Sequence, residues 1–282
     1  MAFNWKTFWT RAFTALIFVA VMLIGLCWNQ YTFFLLLSCI HFGCWFEYQQ
    51  LVAKFEPRYA QITGFHKWGV QLAGWCFLLY FTGDQFEWGS LSLHAIGWWM
   101  GLLFLFILPI TELLFSRTIE LISIRYSFLG ILYISLSWGL LMDLRTLPEI
   151  GWIAPLAIIF TIWINDTMAY LVGSMIGRTP LSAISPKKTW EGTIGGIVLA
   201  VGAITAWAYF IGQPLYHALA ISTIAAVAGT FGDLLESKLK RLAGVKDSGQ
   251  IMPGHGGFLD RFDSLLLATP FVWIYIRLFL ID

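Results

Sequence analysis

Charged residues are scarce in this sequence. Asp, Glu, Lys and Arg make up only 12% of its 282 residues, while 59% are hydrophobic. Soluble domains carry about 25% charged residues. No charged side chain lies between Arg11 and Glu47, or between Glu191 and Asp233. A membrane-spanning helix needs about 20 apolar residues, so each stretch is long enough for two short spans. A water-soluble core could not hold so much uncharged sequence, which excludes a soluble protein.

Cysteine is also rare, and its spacing is uninformative about metals. The four cysteines, at positions 27, 39, 44 and 76, lie in or beside apolar runs and form no C-x-x-C pair. This pattern favours buried thiols over a disulfide framework or a metal site. The first apolar run is longer than the core of a typical signal peptide and no small-x-small site follows Cys27, so we expect it to be retained.

The apolar runs predict an all-α polytopic integral membrane protein with about nine transmembrane helices. Breaks are readable at Trp28–Tyr31 and at Gly212–Pro214. We expect residues 1–150 to form scaffold helices and residues 151–282, which hold most of the unexplained polar residues, to form the catalytic region. The predicted spans are 12–28, 31–46, 68–83, 92–111, 126–142, 151–176, 193–212, 215–235 and 263–281.

Lysine and arginine predict the orientation in the membrane. With the N-terminus in the cytoplasm, fifteen basic residues fall on the inner side, and only Arg145 and Arg277 fall on or near the outer side. By the positive-inside rule, the N-terminus and the loops with most polar residues are therefore predicted to be cytoplasmic. In a bacterium this membrane is the inner membrane.

Two polar clusters lie before residue 200, one within a predicted span and one in the loop that follows it. Asp166 lies in an apolar span, where an ionisable group usually faces a polar interior or a partner; contact with water or a lysine at the membrane surface is the alternative. The second cluster is the loop 184–192, in which Ser185-Pro186 predicts a turn and Lys187 and Lys188 precede a glycine-containing helix start. Such a helix start suits an anionic phosphate. The alternative is that both lysines only determine topology.

The strongest signal is the segment from Gly232 to Asp263. Asp233, Ser237 and Lys240 recur at i, i+4 and i+7, so they share one helix face, with Glu236 adjacent. The segment 253–257 contains proline and three glycines and predicts a compact turn with exposed backbone donors. Carboxylates beside cations at a membrane surface are typical of phosphoryl or nucleotidyl transfer to a lipid. A network of ion pairs that joins helix ends is the alternative.

At these positions the sequence resembles the CDP-diacylglycerol synthase, or phosphatidate cytidylyltransferase, family. That family's signature reads S-x-aliphatic-K-R, four residues, K-D, a P-x-H-G-G turn and D-R-x-D. Upstream, the segments D-x-x-A-Y and S-P-K-K-T-W-E-G are also similar, and the resemblance covers roughly residues 160–265. Met252 departs mildly from the usual Leu, Ile or Phe. The matching residues are Ser237, Leu239, Lys240, Arg241, Lys246, Asp247, Gly249, Pro253, His255, Gly256, Gly257, Asp260, Arg261 and Asp263.

The resemblance implies the reaction of CTP with phosphatidic acid to give CDP-diacylglycerol and pyrophosphate. It implies Mg²⁺ as cofactor, held by Asp233 and Asp260, with K⁺ as a second cation in some members, and a homodimer in the lipid bilayer. No nucleic-acid partner is predicted. The candidate catalytic residues are Asp233, Asp260, Asp263, Lys240 and Arg241. The candidate phosphate-binding residues are Ser185, Lys187, Lys188, Thr189, Lys246, His255, Gly256, Gly257 and Arg261. Additional candidates are Asp166, Glu236 and Ser237.

Two other functions require sequence features that differ from these. A transporter or lipid flippase would use Asp166 and Asp233 as ion sites near the midplane of the membrane. However, the polar residues gather at the predicted cytoplasmic surface and no inverted repeat is visible. A CDP-alcohol phosphotransferase would carry D-G-x-x-A-R and later paired aspartates, which this sequence lacks.

The charge asymmetry yields a test of topology. We expect a cysteine introduced at Ser185 to react with a membrane-impermeant thiol reagent only from the cytoplasmic side. The unaltered protein, labelled in parallel, gives the background from the native cysteines. Labelling of the new cysteine from outside intact cells would reverse the predicted orientation.

Overall fold

The structure is a computed structural model that describes residues 5–89, 91–115, 121–148, 150–249 and 256–280. His255, Pro253 and Gly254, which belong to the predicted turn, lie outside the described residues. The remaining candidate site residues lie within them.

Helices dominate the described residues, which confirms the all-α class. They are α1 (Trp5–Cys27), α2 (Gln30–Phe55), α3 (Pro57–Ala60), α4 (Gly64–Tyr80), α5 (Leu93–Phe115), α6 (Leu121–Gly130), α7 (Leu136–Thr146), α8 (Ile153–Ile176), α9 (Trp190–Phe210), α10 (Leu215–Leu242) and α11 (Leu259–Phe279). A π-helical segment, Ile131–Ser135, connects α6 to α7. One small antiparallel hairpin was not predicted: β1 (Glu87–Trp88) pairs with β2 (Leu91–Ser92).

Six described helical stretches are long and apolar enough to cross a membrane. They are Leu93–Leu114, Ile122–Thr146, Ile153–Ile176, Trp190–Phe210, Leu215–Leu242 and Leu259–Phe279. The chain is thus an integral membrane protein, but the prediction of about nine spans is not confirmed. The apolar part of α1, Phe13–Cys27, is shorter, and α4 has only 17 residues.

The predicted breaks between helices are confirmed at both positions. Asn29 caps α2, since its side chain accepts hydrogen bonds from the backbone N–H groups of Tyr31 and Thr32, each at 2.9 Å. Such a cap satisfies donors that the first turn of a helix leaves unpaired. Between α9 and α10, Gly212 has a φ of +71°. This left-handed conformation suits glycine and ends the helix.

The chain divides into two compact units, each built from two segments. The first unit comprises Met1–Thr146 and Leu242–Arg261, and the second comprises Leu147–Arg241 and Phe262–Asp282. The loop that follows α10 therefore belongs with the N-terminal helices. The predicted functional division into scaffold and catalytic regions stays a prediction.

In the first unit the core is built around Trp45 of α2. Its ring is fully buried, and its indole N–H donates to Ser135 Oγ at 2.8 Å. His41 Nε2 lies 3.0 Å from the same hydroxyl. A Cβ added to Gly130 would meet the Trp45 ring, so glycine at this position leaves room for the indole. The Ser135 hydroxyl thus gives a polar partner to both the Trp45 indole and the His41 ring inside this core.

In the second unit glycines allow the helices to approach closely. A Cβ on Gly192 or Gly196 of α9 would lie 2.6 or 2.7 Å from a backbone oxygen of α8. Small residues at this four-residue spacing are typical of tightly packed membrane helices. Similarly, a Cβ on Gly232 of α10 would lie 2.5 Å from the Asp263 carbonyl oxygen in α11. Gly232 therefore permits the approach of α10 and α11 next to Asp233 and Asp263.

The contact at Gly232 predicts a marked loss of stability for Gly232→Ala. The added methyl group would press on backbone atoms of Asp263 and Ser264, which cannot rotate away. Overpacking of this kind costs about 1–3 kcal/mol. We expect a lower melting temperature in detergent for this variant. Gly202→Ala is the matched control, because open space surrounds Gly202 in α9. Equal melting temperatures for the two variants would contradict the close approach.

Candidate active site

The predicted turn before α9 is present, and Lys188 at its end contacts Asp233 of α10. Ser185 accepts a hydrogen bond from the Lys188 backbone N–H at 3.1 Å, which closes a β-turn with Pro186 in its second position. Leu181 N–H donates to the Lys188 carbonyl at 2.7 Å and fixes the other side of the loop. The Lys188 ammonium forms an ion pair with Asp233 Oδ2. The side chains are 29% and 25% exposed, so the pair is largely shielded from water.

Lys188 lies among several carboxylates of the second unit. Ser237 Oγ donates to Asp233 Oδ1 at 3.2 Å, which confirms that these residues share a helix face. Burial lowers the pKa of Lys188, and the neighbouring carboxylates of Asp166 and Asp263 oppose this change. Nearby carboxylates favour the charged form of a lysine, which is the form that binds an anionic phosphate.

A second ion pair lies further along α10. Lys240 pairs with Glu236, whose side chain is fully buried. Lys240 was predicted on the same helix face as Asp233, but its described partner is Glu236. Asp263 is 8% exposed, and its Oδ1 accepts a hydrogen bond from the Ser264 N–H at 2.6 Å. Two acidic residues of α10, Asp233 and Glu236, are thus each paired with a lysine.

Side chains at the start of α9 accept hydrogen bonds from nearby backbone N–H groups. Thr189 is the N-cap, since its Oγ1 accepts a hydrogen bond from Gly192 N–H at 3.2 Å. The Glu191 carboxylate accepts hydrogen bonds from the Arg178 and Thr179 backbone N–H groups and, at 2.8 Å, from Thr179 Oγ1. These contacts fix both ends of the loop that presents Lys187 and Lys188.

In the first unit, the Glu47 carboxylate meets the segment that follows α10. Glu47 lies in α2 and is 2% exposed. Its Oε1 accepts a hydrogen bond from Phe258 N–H at 2.9 Å, and its Oε2 accepts from Leu259 N–H at 2.9 Å and from Ser248 Oγ at 2.6 Å. This carboxylate therefore caps the N-terminus of α11 from another helix.

Asp260 accepts hydrogen bonds from two residues of the segment before α11. Its Oδ2 accepts hydrogen bonds from Ser248 N–H at 2.8 Å and from Gly257 N–H at 2.9 Å, and it lies 3.0 Å from Ser248 Oγ. Gly256 has a φ of +83°, and a Cβ there would lie 2.6 Å from Asp260 Oδ2. Gly256 and Gly257, the described residues of the predicted turn, thus contact the Asp260 carboxylate. The compact turn over 253–257 stays a prediction.

Comparisons with known proteins show the family. A model of the cytidylyltransferase family matches residues 9–279. The phosphatidate cytidylyltransferase of Bacillus subtilis is 37% identical over 209 residues, which are 73% of this chain and 76% of that protein. The chain belongs to the cytidylyltransferase family.

Two other relatives match over shorter stretches. Phosphatidate cytidylyltransferase 4 of Arabidopsis thaliana chloroplasts is 40% identical over 50% of this chain and 37% of that protein. The phosphatidate cytidylyltransferase of Synechocystis is 45% identical over 42% of this chain and 41% of that protein. These two matches span about two fifths of the relatives' own length.

Several candidate residues of this cytidylyltransferase are brought together. Asp166, Lys188, Asp233, Ser237 and Asp263 interact in the second unit, and Asp260, Gly256 and Gly257 do so in the first. Ser185 is half-buried in its turn. The exposed candidates are Lys187, Arg241, Lys246 and Arg261. Within the described residues no three His, Cys, Asp or Glu side chains form a metal-binding group. The assignment of a metal to Asp233 and Asp260 stays a prediction.

Sequence reasoning missed Glu47, Ser248 and Glu191. Glu47 is the first acidic residue of the chain and directly follows a long uncharged stretch. A lone ionisable group in such a stretch is a reason to suspect a functional site. That signal identifies the residue, but it gives no hint of a partner 201 positions away.

The contact of Lys188 with Asp233 predicts energetic coupling between the two residues. We expect Lys188→Ala and Asp233→Asn to give non-additive changes in the free energy of unfolding, with a coupling of about 0.5–3 kcal/mol. The measurement is a double-mutant cycle in detergent micelles. The control cycle replaces Lys188→Ala with Lys187→Ala, because Lys187 is exposed; additivity there within about 0.5 kcal/mol is expected. Additivity in both cycles would contradict the ion pair.

Proposed function

We propose that this protein is a CTP:phosphatidate cytidylyltransferase that forms CDP-diacylglycerol in the membrane. The observation that carries the proposal is Lys188 beside Asp233, with Asp166 and Asp263 acting on the same ammonium. These residues belong to the segments that resemble the family. Membership of the cytidylyltransferase family and the names of the relatives support the reaction type and the substrates.

The reaction joins two anions, so neutralising their charge is the main task of the protein. A phosphate oxygen of phosphatidic acid attacks the α-phosphorus of CTP and forms a new P–O bond. The bond from the α-phosphorus to the oxygen that bridges to the β-phosphate breaks, and pyrophosphate leaves. Stabilising the charge that develops on the leaving group is usually the largest contribution to such catalysis.

The basic residues supply this neutralisation. Lys188 ends a hydrogen-bonded turn and pairs with Asp233 of α10, whereas Lys187 is exposed on the same loop. Arg241, Lys246 and Arg261 are exposed, so substrate phosphates can reach them. Lysine binds phosphate as a compact point charge, and arginine binds it through a planar fork.

Mg²⁺ is the cofactor that we propose, with Asp233 and Asp260 as the residues that would hold it. In the contacts described above, Asp233 has a hydroxyl oxygen, Ser237 Oγ, beside it and no sulfur or imidazole, and Mg²⁺ would bind next to the Lys188 ammonium or in its place. A hard cation such as Mg²⁺ prefers oxygen donors and is often bound by one or two carboxylates together with substrate phosphates. When bound, Mg²⁺ would polarise the phosphates and balance the charge of the leaving group. K⁺ as a second cation remains part of the proposal.

The remaining proposals concern assembly and orientation. We propose a homodimer, as the resemblance implies, with the N-terminus and the polar loops in the cytoplasm, where CTP is available. The asymmetry of Lys and Arg supports this orientation.

The activity itself is tested with purified protein. Labelled CTP and phosphatidic acid are supplied in detergent or vesicles, and the expected result is a lipid-soluble cytidine product with release of pyrophosphate. Omission of phosphatidic acid is the control. Absence of the product with well-folded protein would overturn the proposed function.

The carboxylates predict large losses of kcat per folded molecule, beyond any change in stability. We expect Asp233→Asn and Asp260→Asn each to lower kcat by at least about 10³-fold, which corresponds to about 4 kcal/mol. Asparagine retains one acceptor oxygen but loses the charge, so the helix and the turn remain. Asp263→Asn should also lose activity. Asp84→Asn, an exposed aspartate before the hairpin, is the control.

A network of ion pairs with no catalytic role gives the opposite pattern. The variants would then express poorly but retain normal activity per folded molecule. Near-normal kcat in Asp233→Asn or Asp260→Asn would remove that residue from the catalytic set.

A further inference from the structure

We infer that Glu47 is a positioning residue for catalysis, acting through Ser248 on the carboxylate of Asp260. This inference rests on the proposed function, because it assigns Glu47 a role in that same reaction. Glu47 is 2% exposed, and a buried carboxylate destabilises the fold unless its acceptor oxygens are hydrogen-bonded. Among the described residues, Ser248, Phe258 and Leu259 donate hydrogen bonds to the Glu47 carboxylate.

Glu47 binds backbone N–H groups at the start of α11. Phe258 and Leu259 offer backbone N–H groups at the first turn of α11, where a negative charge is favourable. Three donors converge on the two oxygens of Glu47, an arrangement that an ionised carboxylate can satisfy because it only accepts. A glutamine would turn an NH₂ group toward one of these donors. The contacts therefore suit a side chain with two acceptor oxygens at this position.

Close approach of the backbone makes the arrangement specific. A Cβ on Gly249 or on Gly257 would overlap the Glu47 carboxylate. One turn earlier on α2, a Cβ on Gly43 would overlap the ring of Phe258. Residues at i and i+4 share a helix face, so Gly43 and Glu47 lie on the same face of α2. This face contacts Phe258 and Gly257. Gly249 and Gly257 therefore lie in direct contact with the Glu47 carboxylate, with no room for a larger residue at either position.

Ser248 links Glu47 to Asp260. Its hydroxyl oxygen lies 2.6 Å from Glu47 Oε2 and 3.0 Å from Asp260 Oδ2. A serine hydroxyl has one hydrogen and donates to one acceptor at a time. The shorter distance gives that hydrogen to Glu47, so Asp260 Oδ2 depends on the backbone N–H groups of Ser248 and Gly257. The Asp260 backbone N–H also donates to Ser248 Oγ at 3.3 Å, so Glu47, by orienting this hydroxyl, acts on the position of Asp260.

A purely structural role for Glu47 makes a different prediction. If Glu47 only attaches α2 to the start of α11, its loss lowers stability and leaves the kinetics per folded molecule unchanged. If it positions Asp260, its loss lowers kcat in the folded fraction, because a displacement of about 1 Å can reduce a rate by about 10²-fold.

The experiment compares Glu47→Gln, Ser248→Ala and Ser248→Thr with the full-length wild-type protein in detergent. It measures kcat, KM for each substrate and melting temperature. Hydrogen exchange at the Phe258 and Leu259 amides gives a readout that is independent of activity. Glu87→Gln, at an exposed glutamate in β1, is the matched control.

We expect Glu47→Gln to lower kcat by about 10²-fold and to accelerate exchange at both amides. Ser248→Ala retains the two backbone hydrogen bonds to Glu47, so exchange should stay close to that of the wild type while kcat falls. Ser248→Thr keeps the hydroxyl and should restore most of the activity. If Glu47→Gln does not fold, the two Ser248 variants decide the question.

Unchanged kcat per folded molecule in Glu47→Gln and Ser248→Ala would overturn the inference. Equal kcat for Ser248→Ala and Ser248→Thr would overturn the link through the hydroxyl. Failure of the proposed function gives a different result, since the wild-type protein would then form no CDP-lipid. In that case the exchange rates would still test whether Glu47 holds the start of α11.

Discussion

Charged groups among membrane-spanning helices must find partners inside the protein, and this constraint governs the arrangement of the polar residues. The lipid interior offers no water to satisfy a carboxylate or a free backbone donor. Glu47 meets the requirement by accepting hydrogen bonds at the start of α11, and Asp233 meets it with Lys188 and Ser237. Glu236 does so with Lys240. Each described pair joins residues that a nucleotidyl transferase can use to hold phosphates or the groups around them.

Glycine is the second component of this arrangement. Hydrogen bonds between backbone and side chains require close approach, and a single added methyl group at Gly232, Gly249 or Gly257 would prevent it. In the first unit these glycines admit a carboxylate, and in the second they admit a neighbouring helix. The glycine-rich turn is therefore explained by contacts with specific oxygens as well as by the conformation of Gly256.

Sequence reasoning predicted much of the fold because hydrophobicity and local spacing are properties of continuous segments. The breaks near Asn29 and Gly212, the turn at Ser185-Pro186 and the shared face of Asp233 and Ser237 were all predicted and confirmed. The number of spans was less certain. A short or partly polar helix such as α4 has no clear signature that distinguishes crossing the membrane from lying within the protein.

The sequence by itself determined the membrane class, the approximate limits of the helices and the family, because these depend on composition, on periodicity and on a fixed pattern of residues. Only the tertiary structure decided the partners. Lys188 meets Asp233 across 45 positions, and Glu47 meets Ser248 across 201. Periodicity tells which face of a helix a residue occupies, but not which other segment packs there. That choice depends on the packing of all the helices together, where the cost of an unpaired buried charge selects one arrangement.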